Sequence, residues 1–435
     1  MPAPVTAPRQ VALTVVRAVR EGDLLDRALA RQSTALDTRG RAWVRELLYG
    51  VYRLRGRLDS RLAPRVHGGL DSLQPDVLDV LRLGAYQLLE MGGVPPYAAI
   101  SQSVELARWA GVGRAAGLVN GVLNAVQRRR DEPLPAATDL LSHLTTWGSH
   151  PAWLVERWLA RFGPEETRAL VEADNSRPGL CLRPVGVSTT EALERLRAAG
   201  IEAEAVSISP DSVRVISPAP VDEILAAVPA VVQDPAAALV VRYAAPPRGA
   251  VVLDLCAAPG GKALGLAERA GLVVAADLSA GRLRRLGENV DRLGLGGRVA
   301  PVVADARWPP FRPADVVLVD APCTGTGTLR RHPDGRWRVQ PEDLAALAAL
   351  QREILDAAAP LVRPGGYLVY STCSLEPEEN ATQVEDFLAR HPGFEPAPEH
   401  GSVDVSVLDG RGFLRVLPQR HAVDGAFAAR LRRSA

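Results

Sequence analysis

The chain has few cysteines and no long apolar run. Its four cysteines, in 435 residues, are far apart, and no two of them form a Cys-x-x-Cys pair. We therefore expect neither a structural zinc site nor a disulfide framework. No stretch approaches the roughly 20 uncharged apolar residues that a membrane span needs, and the first residues lack the basic segment and apolar core of a secretory signal. These absences predict a soluble, cytoplasmic protein that binds neither metal nor membrane.

Lysine is nearly absent. Lys262 is the only lysine, whereas the chain has 50 arginines. An ammonium group differs from a guanidinium in geometry and hydration, so this position is a candidate functional one. The charge is also unevenly spread, because residues 1–130 hold 19 arginines and 11 acidic residues, a net charge of +8, and the remaining 305 residues carry −7. A basic amino-terminal region indicates a polyanionic partner, although solvated helices often carry a surplus of this size.

The amino-terminal third has a helical pattern. Apolar residues recur every three or four positions from residue 9 to about 130, which predicts amphipathic helices. Glycines interrupt the pattern, and Pro75 suits the first turn of a helix. We expect an all-α domain over residues 1–132. The proline-rich stretch DEPLPAATD is typical of a linker and PAWLVERWLARFG restarts a helix, so a linker and helical connector are predicted for residues 133–175.

The rest of the chain has two α/β patterns. Over residues 176–245, short β-like runs such as SVRVI alternate with helical ones such as TEALERLRAAG, which predicts a small α/β subdomain. Over residues 246–435, buried apolar runs alternate with helical stretches, among them VVLDL, LVVAAD, DVVLVD and GYLVYST. Runs of this kind predict parallel strands with crossover helices, that is, a Rossmann-like α/β domain.

A glycine turn follows the first of these runs. Pro259, Gly260 and Gly261 lie between a predicted strand and helix, where the backbone can approach a ligand closely. Asp277 ends the next strand, where a carboxylate can accept hydrogen bonds from ribose hydroxyls. Asp305, after the third strand, is placed to face an adenine. The usual dinucleotide motif Gly-x-Gly-x-x-Gly is absent, which favours S-adenosylmethionine over NAD.

Two cysteines follow strand ends, Cys323 in DVVLVDAPCTGTGTLRRHPDGRW and Cys373 in GYLVYSTCSLEPEEN. Carboxyl ends of neighbouring strands meet at the ligand crevice of a doubly wound sheet, so both thiols can share one pocket. Free cysteines are more often buried filler than catalysts, but these two stand in polar loops.

Such a thiol pair suits cytosine methylation, because C5 of cytosine is not nucleophilic enough to take a methyl group directly from a sulfonium. A thiolate that attacks C6 makes a covalent enamine whose C5 can accept the methyl group, and a base then removes the C5 proton. One cysteine can attack while the other assists release. Asp320 is placed to hold the edge of the base and help protonate N3. The residues alone do not choose between the two cysteines.

Four blocks in order resemble the bacterial Sun/Fmu (RsmB) family of 16S rRNA cytosine-5 methyltransferases, within the wider Nol1/Nop2/Sun class. They are DLCAAPGGK at 254–262, DAPCTGTGTLRRHPD at 320–334, STCSLEPEEN at 371–380 and LPQRHAVDGAFAARL at 417–431. The stretches VPPYAAISQSVELAR and GLVNGVLNAVQRR resemble the NusB-like RNA-binding domain that precedes the catalytic domain in that family. The resemblance therefore implies an all-α NusB-like domain, a small α/β subdomain and a Rossmann-like methyltransferase domain.

The resemblance also assigns residues. It implies that Cys373 is the nucleophile, that Cys323 assists release of the adduct, and that Asp320 positions the base. The residues that it implies for S-adenosylmethionine binding are Cys256, Ala257, Ala258, Pro259, Gly260, Gly261, Lys262, Asp277, Asp305 and Asp320. One departure from the family is Ala263, where relatives often carry threonine, and we expect it to tune the loop without loss of function.

The expected activity is thus methyl transfer from S-adenosylmethionine to C5 of one cytosine in small-subunit rRNA, through a Cys373–C6 adduct, by a monomeric enzyme. Two alternatives stay open at this point. One is the same chemistry on tRNA, which the NusB-like extension disfavours. The other is a non-catalytic RNA-binding ribosome assembly factor, which the intact Cys323, Cys373, Asp277 and glycine loop oppose.

Overall fold

The computed structural model describes residues 4–132, 139–399 and 401–435. The chain forms two compact units. The first comprises the chain up to Ser176 together with Leu329–Val339, and the second comprises Arg177–Thr328 and Gln340–Ala435. In the described ranges, no helix is long and apolar enough to cross a membrane.

The first unit is built from helices. Its amino-terminal part consists of α1 (Ala7–Arg20), α2 (Leu25–Gln32), α3 (Thr38–Arg53), α4 (Arg55–Leu62), α5 (Pro75–Leu89), α6 (Pro96–Trp109) and α7 (Ala116–Arg128). Their apolar faces form one buried core that includes Leu13, Leu47 and Leu81, as three- and four-residue spacing requires. Pro75 lies at the first position of α5, as predicted, where its missing N–H costs no helical bond.

Two further helices complete this part, α8 (Leu140–Thr146) and α9 (Ala152–Asn175). Gly163 has a φ of 77° and breaks α9 into two helical pieces, because only glycine adopts this backbone conformation without cost. Trp158 of the predicted restarting helix is fully buried. Residues 133–138 of the predicted linker lie outside the described residues. The domain boundaries at 132, 175 and 245 stay predictions.

The second unit begins with a small antiparallel sheet. Its elements are β1 (Leu180–Pro184), α10 (Thr189–Ala198), β2 (Ala203–Val206), β3 (Ser209–Val215), α11 (Val221–Ala227) and β4 (Ala230–Val232). The strand order is β2-β3-β1-β4, and the two helices bury Leu196 and Ile224 in the same cluster as Leu182 of β1. The runs SVRVI and TEALERLRAAG form the predicted strand and helix, while β2 was not predicted from the sequence.

A larger sheet forms the rest of the unit. Its elements are α12 (Pro235–Ala244), β5 (Val251–Asp254), α13 (Gly261–Leu266), β6 (Leu272–Asp277), α14 (Ala280–Arg292), β7 (Val299–Val303), β8 (Ala314–Asp320), α15 (Gly335–Arg338), α16 (Pro341–Ala358), β9 (Val362–Thr372), α17 (Ala381–Arg390), β10 (Phe394–Pro396), β11 (Leu414–Val416), α18 (Pro418–His421) and β12 (Ala426–Arg433). Of these, α15 belongs to the first unit.

The order of this sheet is β10-β12-β9-β8-β5-β6-β7, with β11 paired to β12. Strands β5 to β9 pair in parallel, as their continuous apolar runs predict, and β10 to β12 pair antiparallel. The long antiparallel pairing of β12 with β9 gives β9 a partner on each side. As a result β9 is a buried central strand, and its carboxyl end is firmly fixed.

Within the first unit, Arg336 of α15 is fully buried. Its guanidinium donates 2.8 Å to Asn175 Oδ1 and 3.1 Å to the Ser149 carbonyl. It also donates to the carbonyls of Arg53, Asp174 and Leu329. Burial lowers the pKa of Arg336 to about 10, so the side chain stays charged at neutral pH and ties α15 to the rest of the unit.

Replacing Arg336 by methionine removes these bonds and leaves several buried carbonyls without a donor. We expect Arg336→Met to lower the free energy of unfolding of the first unit by about 3–5 kcal/mol. Urea unfolding followed by circular dichroism measures the change. Arg338→Met is the matched control on the same helix, where the side chain is about 41% exposed, and it should cost less than about 1 kcal/mol. Equal losses in the two variants would contradict the role given to Arg336.

Candidate active site

The carboxyl ends of the parallel strands carry the candidate residues. Strand β5 ends at Asp254, β6 at Asp277 and β8 at Asp320, while Cys373 directly follows the end of β9. The strand order reverses at β5, which lies between β6 and β8. In open α/β sheets, ligands bind outside the carboxyl ends of strands at such a reversal. The fold therefore places these side chains at one edge of the sheet.

Asp320 is paired with the only lysine of the chain. Lys262 Nζ lies 2.7 Å from Asp320 Oδ2, and the Ser371 hydroxyl donates to Asp320 Oδ1 at 2.8 Å. Burial disfavours the ammonium, but the charges of Asp320, Cys373 and Asp254 outweigh it and raise the pKa of Lys262. Lys262 is therefore a fixed positive charge beside Asp320.

The two cysteines are in contact. Cys323 Sγ lies 3.4 Å from Cys373 Sγ, as the prediction of a shared pocket requires. The hydrogen bond to Cys373 and then burial raise the pKa of Cys323 well above its ordinary value. Cys323 is therefore a protonated thiol at neutral pH, and its sulfur is within hydrogen-bond distance of Cys373 Sγ.

Hydrogen bonds join the loops that carry the cysteines. The Leu375 amide donates to Thr326 Oγ1 at 2.8 Å, and the hydroxyls of Thr324 and Ser374 are 3.2 Å apart. The Gly327 amide donates to the Cys373 carbonyl at 2.9 Å. A Cβ at position 327 would lie 2.7 Å from that carbonyl oxygen, so only glycine permits this approach. The loops thus form one buried hydrogen-bonded assembly.

The glycine loop after β5 is tied to Asp277. The Ala258 amide donates to Asp277 Oδ2 at 3.1 Å, and the Ser279 amide donates to Oδ1 at 2.9 Å. Arg282 donates to the Ala258 carbonyl. Gly260 has a φ of +107°, and a Cβ there would meet Leu286, so glycine is required on both counts. These contacts fix residues 256–262 next to the carboxylate that the sequence assigned to ribose.

Asp254 is the least satisfied group of the site. It is completely buried, and neither carboxyl oxygen has a hydrogen-bond partner of normal geometry in the described part of the chain. Burial, followed by the charge of Asp320, raises the pKa of Asp254 to about 8. Burial, followed by the charges of Asp254 and Asp320, also raises the pKa of Cys256 far above its ordinary value. Cys256 is thus a neutral thiol, unsuited to be a nucleophile.

Asp305 is placed differently from the other predicted residues. It follows β7 by two positions and accepts from the Arg307 guanidinium at 2.7 Å, which lowers the pKa of Asp305. Within the residues that the structure describes, its carboxylate makes no hydrogen bond to the glycine loop, to Asp277 or to either cysteine. Its predicted role toward an adenine stays a prediction.

Sequence reasoning missed three contributors to the site: Ser371, Arg282 and Glu379. Ser371 and Glu379 stand in the block STCSLEPEEN, which indicates a site but not which groups these side chains bond. Glu379 is fully buried and accepts a hydrogen bond from the Thr324 amide at 2.9 Å, across 55 positions of sequence. Such a contact depends on strand register and has no local sequence signal. Over the described ranges, no group of three or more His, Cys, Asp or Glu side chains could hold a metal ion.

Comparison with known proteins gives matches along most of the chain. Residues 6–128 match the model of the NusB family, residues 150–222 match the ferredoxin-like domain of RsmF/B-like methyltransferases, and residues 241–432 match the 16S rRNA methyltransferase RsmB/F model. The predicted fold class, a NusB-like helical domain, a small α/β domain and a Rossmann-like methyltransferase domain, is thereby confirmed.

Individual proteins are similar over their full lengths. Ribosomal RNA small subunit methyltransferase B of Pectobacterium atrosepticum is 36% identical, with 97% of this chain and 98% of that protein covered. A probable ribosomal RNA small subunit methyltransferase B of Bacillus subtilis is 33% identical, with 98% and 99% covered. The crystal structure of PH0851 superposes with a TM-score of 0.82 at 27% identity, with 99% and 100% covered.

The unsatisfied Asp254 leads to a prediction about stability. The pKa of Asp254 is higher in the folded chain than in the unfolded chain. The free energy of unfolding therefore falls as the pH rises from about 4 to about 8, and Asp254 causes no further fall above that pH. Asp254→Asn has no such titration. Between pH 5.5 and 8.5 we expect the wild type to lose about 3 kcal/mol of unfolding free energy relative to Asp254→Asn. Urea titrations of both proteins at the two pH values measure this, and parallel changes would refute it.

Proposed function

The chain belongs to the ribosomal RNA small subunit methyltransferase B family, and we propose that it transfers a methyl group from S-adenosylmethionine to C5 of a specific cytosine in 16S rRNA. The observation that carries the proposal is the contact between Cys323 and Cys373 at strand ends next to the Lys262–Asp320 pair. One thiol at this place can attack C6 of a pyrimidine, and a second thiol in contact with it can assist release.

The residues around the glycine loop suit the cofactor. Asp277 is held at the end of β6, where a carboxylate can accept from ribose hydroxyls, and the Gly260 backbone conformation leaves no room for a side chain. Asp254 contributes a buried carboxyl whose oxygens lack partners. We propose that Cys256 to Lys262, Asp277, Asp305 and Asp320 form the binding site. When bound, S-adenosylmethionine supplies the methyl group that C5 receives.

Cys373 is the proposed nucleophile. Its Sγ lies 3.4 Å from the Cys323 sulfur, which can donate an S–H to it, and it lies in the field of the Lys262 ammonium. Both features favour a thiolate at Cys373. Attack of this thiolate on C6 forms the S–C6 bond and moves an electron pair toward N3 and O2 of the base. The positive charge of Lys262, fixed next to Asp320, stabilises the negative charge that develops on the ring. Asp320 is proposed to position the base.

Cys323 is proposed to assist release. The largest cause of its raised pKa is its hydrogen bond to Cys373. Once Cys373 Sγ is bonded to C6, that sulfur is no longer a thiolate, and the cause is removed. Cys323 then loses its own proton to water more readily, and its thiolate can accept the C5 proton. The electron pair of the C5–H bond reforms the C5–C6 double bond, and Cys373 leaves as a thiolate. The order of events thus follows from the contact between the thiols.

The helical part of the chain is the proposed contact for RNA. Residues 1–130 carry a net charge of +8, which favours binding to phosphate, and residues 6–128 match the NusB family. We propose a cytoplasmic, monomeric enzyme whose partner is small-subunit rRNA. The alternatives are the same chemistry on tRNA, or a non-catalytic RNA-binding assembly factor.

The roles of the two cysteines predict distinct phenotypes. Cys373→Ala should abolish both methylation and the covalent RNA adduct, because no thiolate remains at that position. Cys323→Ala should still attack but release slowly, so that an SDS-stable protein–RNA complex accumulates. Denaturing gels with labelled RNA, together with transfer of labelled methyl groups, measure both. Normal turnover of Cys373→Ala would overturn the mechanism.

The substrate is tested by methyl transfer to deproteinised small-subunit rRNA, with tRNA in parallel and mapping of any 5-methylcytosine. We expect label at a single cytosine of the small-subunit rRNA. Label in tRNA alone would keep the chemistry and overturn the target. Absence of label from both, and from assembled small subunits offered as a third substrate, would favour the assembly-factor alternative.

A further inference from the structure

Glu379 is a buried acidic group that the proposed mechanism does not use. It lies in the 3-10 turn Pro377–Glu379 between β9 and α17 and is fully buried. Its Oε1 accepts from the Thr324 amide at 2.9 Å and from Gln351 Nε2 at 3.0 Å, and its Oε2 accepts from the Thr324 hydroxyl. A buried carboxylate is costly unless it is well bonded, and here every bond involves the loop of Cys323 or a residue that holds this loop.

Gln351 of α16 extends this arrangement to the other side of Cys323. Its Nε2 donates to the Pro322 carbonyl at 2.9 Å as well as to Glu379. The Tyr370 hydroxyl shares its proton between two acceptors, the Glu379 carbonyl at 2.6 Å and Gln351 Oε1 at 3.1 Å. Tyr370 thereby orients the amide so that its NH2 group faces Pro322 and Glu379. The backbone on both sides of Cys323 is therefore held, at Pro322 by Gln351 and at Thr324 by Glu379.

We propose that Glu379, together with Gln351, is a positioning residue that fixes Cys323 for release of the methylated base from Cys373. The inference rests on the release role proposed for Cys323. The direct bonds of the pair are to Pro322 and Thr324, the neighbours of Cys323, whereas Cys373 is held by the end of β9 and by the Gly327 amide. Loss of the pair should therefore impair release much more than attack.

The shape of Glu379 matters more than its charge in this proposal. In Glu379→Gln, Oε1 can still accept from Thr324 and Gln351, and the Thr324 hydroxyl can turn to accept from the new amide. The bond to Cys373 and burial contribute more than Glu379 to the raised pKa of Cys323, so Cys323 stays a thiol in this variant. In Glu379→Ala, two amide donors and a hydroxyl lose their acceptor, and the loop of Cys323 is freed.

The test compares Glu379→Ala, Glu379→Gln and Gln351→Met with wild type and Cys323→Ala, using deproteinised small-subunit rRNA and S-adenosylmethionine. Glu379→Ala and Gln351→Met should lower turnover by about 10- to 100-fold, the equivalent of one or two lost bonds to a charged group. Both should accumulate the SDS-stable RNA adduct, as Cys323→Ala does, while adduct formation changes by less than about 3-fold. Glu379→Gln should stay within about 5-fold of wild type.

Gln383→Met is the matched control. Gln383 is buried on α17 and donates to the Ala348 carbonyl of α16, so the variant removes an equivalent amide bond away from the cysteines and should neither slow turnover nor accumulate adduct. Gln351→Met decides the test if Glu379→Ala does not fold. If Glu379→Ala and Gln351→Met are slow but accumulate no adduct, while Cys323→Ala does accumulate it, the inference is wrong and the release role of Cys323 stands. Absence of adduct in Cys323→Ala itself would overturn the proposed release role and the inference with it.

Discussion

The parallel pairing of β8 with β9 is the constraint on which the site depends. Asp320 at the end of β8 is paired in register with Ser371 near the end of β9, and the Ser371 hydroxyl bonds the Asp320 carboxylate. Cys323 follows Asp320 by three residues, and Cys373 follows Ser371 by two. A slip of one residue would turn the side chains of β9 to the opposite face of the sheet. The contact between the thiols is thus a consequence of strand register.

Register alone does not hold two flexible loops at a fixed distance. The hydroxyls of Thr324, Thr326 and Ser374 and the close approach of Gly327 to Cys373 join them. Inside a protein, satisfied polar networks strengthen one another, whereas a single unpaired group is costly. The network therefore keeps the two sulfurs in contact, which strand register alone would not do. A fixed contact between the sulfurs suits a reaction in which Cys373 attacks the base and Cys323 later assists its release.

The sequence predicted those parts of the fold and site that have a local signal. Continuous apolar runs indicated β5 to β9, glycine and proline indicated the loop after β5, and cysteines after strand ends indicated the shared pocket. Strand β12 was missed because AFAARLRR has no long apolar run, and its place beside β9 is set by pairing. The bond between Glu379 and Thr324 was missed for the same reason. The unsatisfied Asp254 could not be foreseen because burial is a property of the packed chain.

The membership of Leu329–Val339 in the first unit was likewise beyond sequence reasoning. The block DAPCTGTGTLRRHPD reads as one motif, yet its first half belongs to the second unit and its last residues fold with the helices. The physical reason for this membership is Arg336, because a fully buried guanidinium needs hydrogen-bond acceptors. Its acceptors are backbone carbonyls of the first unit and the side chain of Asn175. No local pattern in the segment specifies those acceptors.

The retention of a single lysine has a physical explanation in the same terms. Lys262 Nζ is largely buried and lies 2.7 Å from Asp320 Oδ2. The nearby Cys373 and Asp254 also raise the pKa of Lys262. An ammonium is a compact point charge with three rotatable donors, whereas a guanidinium is a planar fork with five. In a buried space, each donor that lacks an acceptor costs free energy. Lys262 Nζ donates to Asp320 Oδ2, and an arginine at position 262 would have to place a wider planar group with five donors in the same buried position.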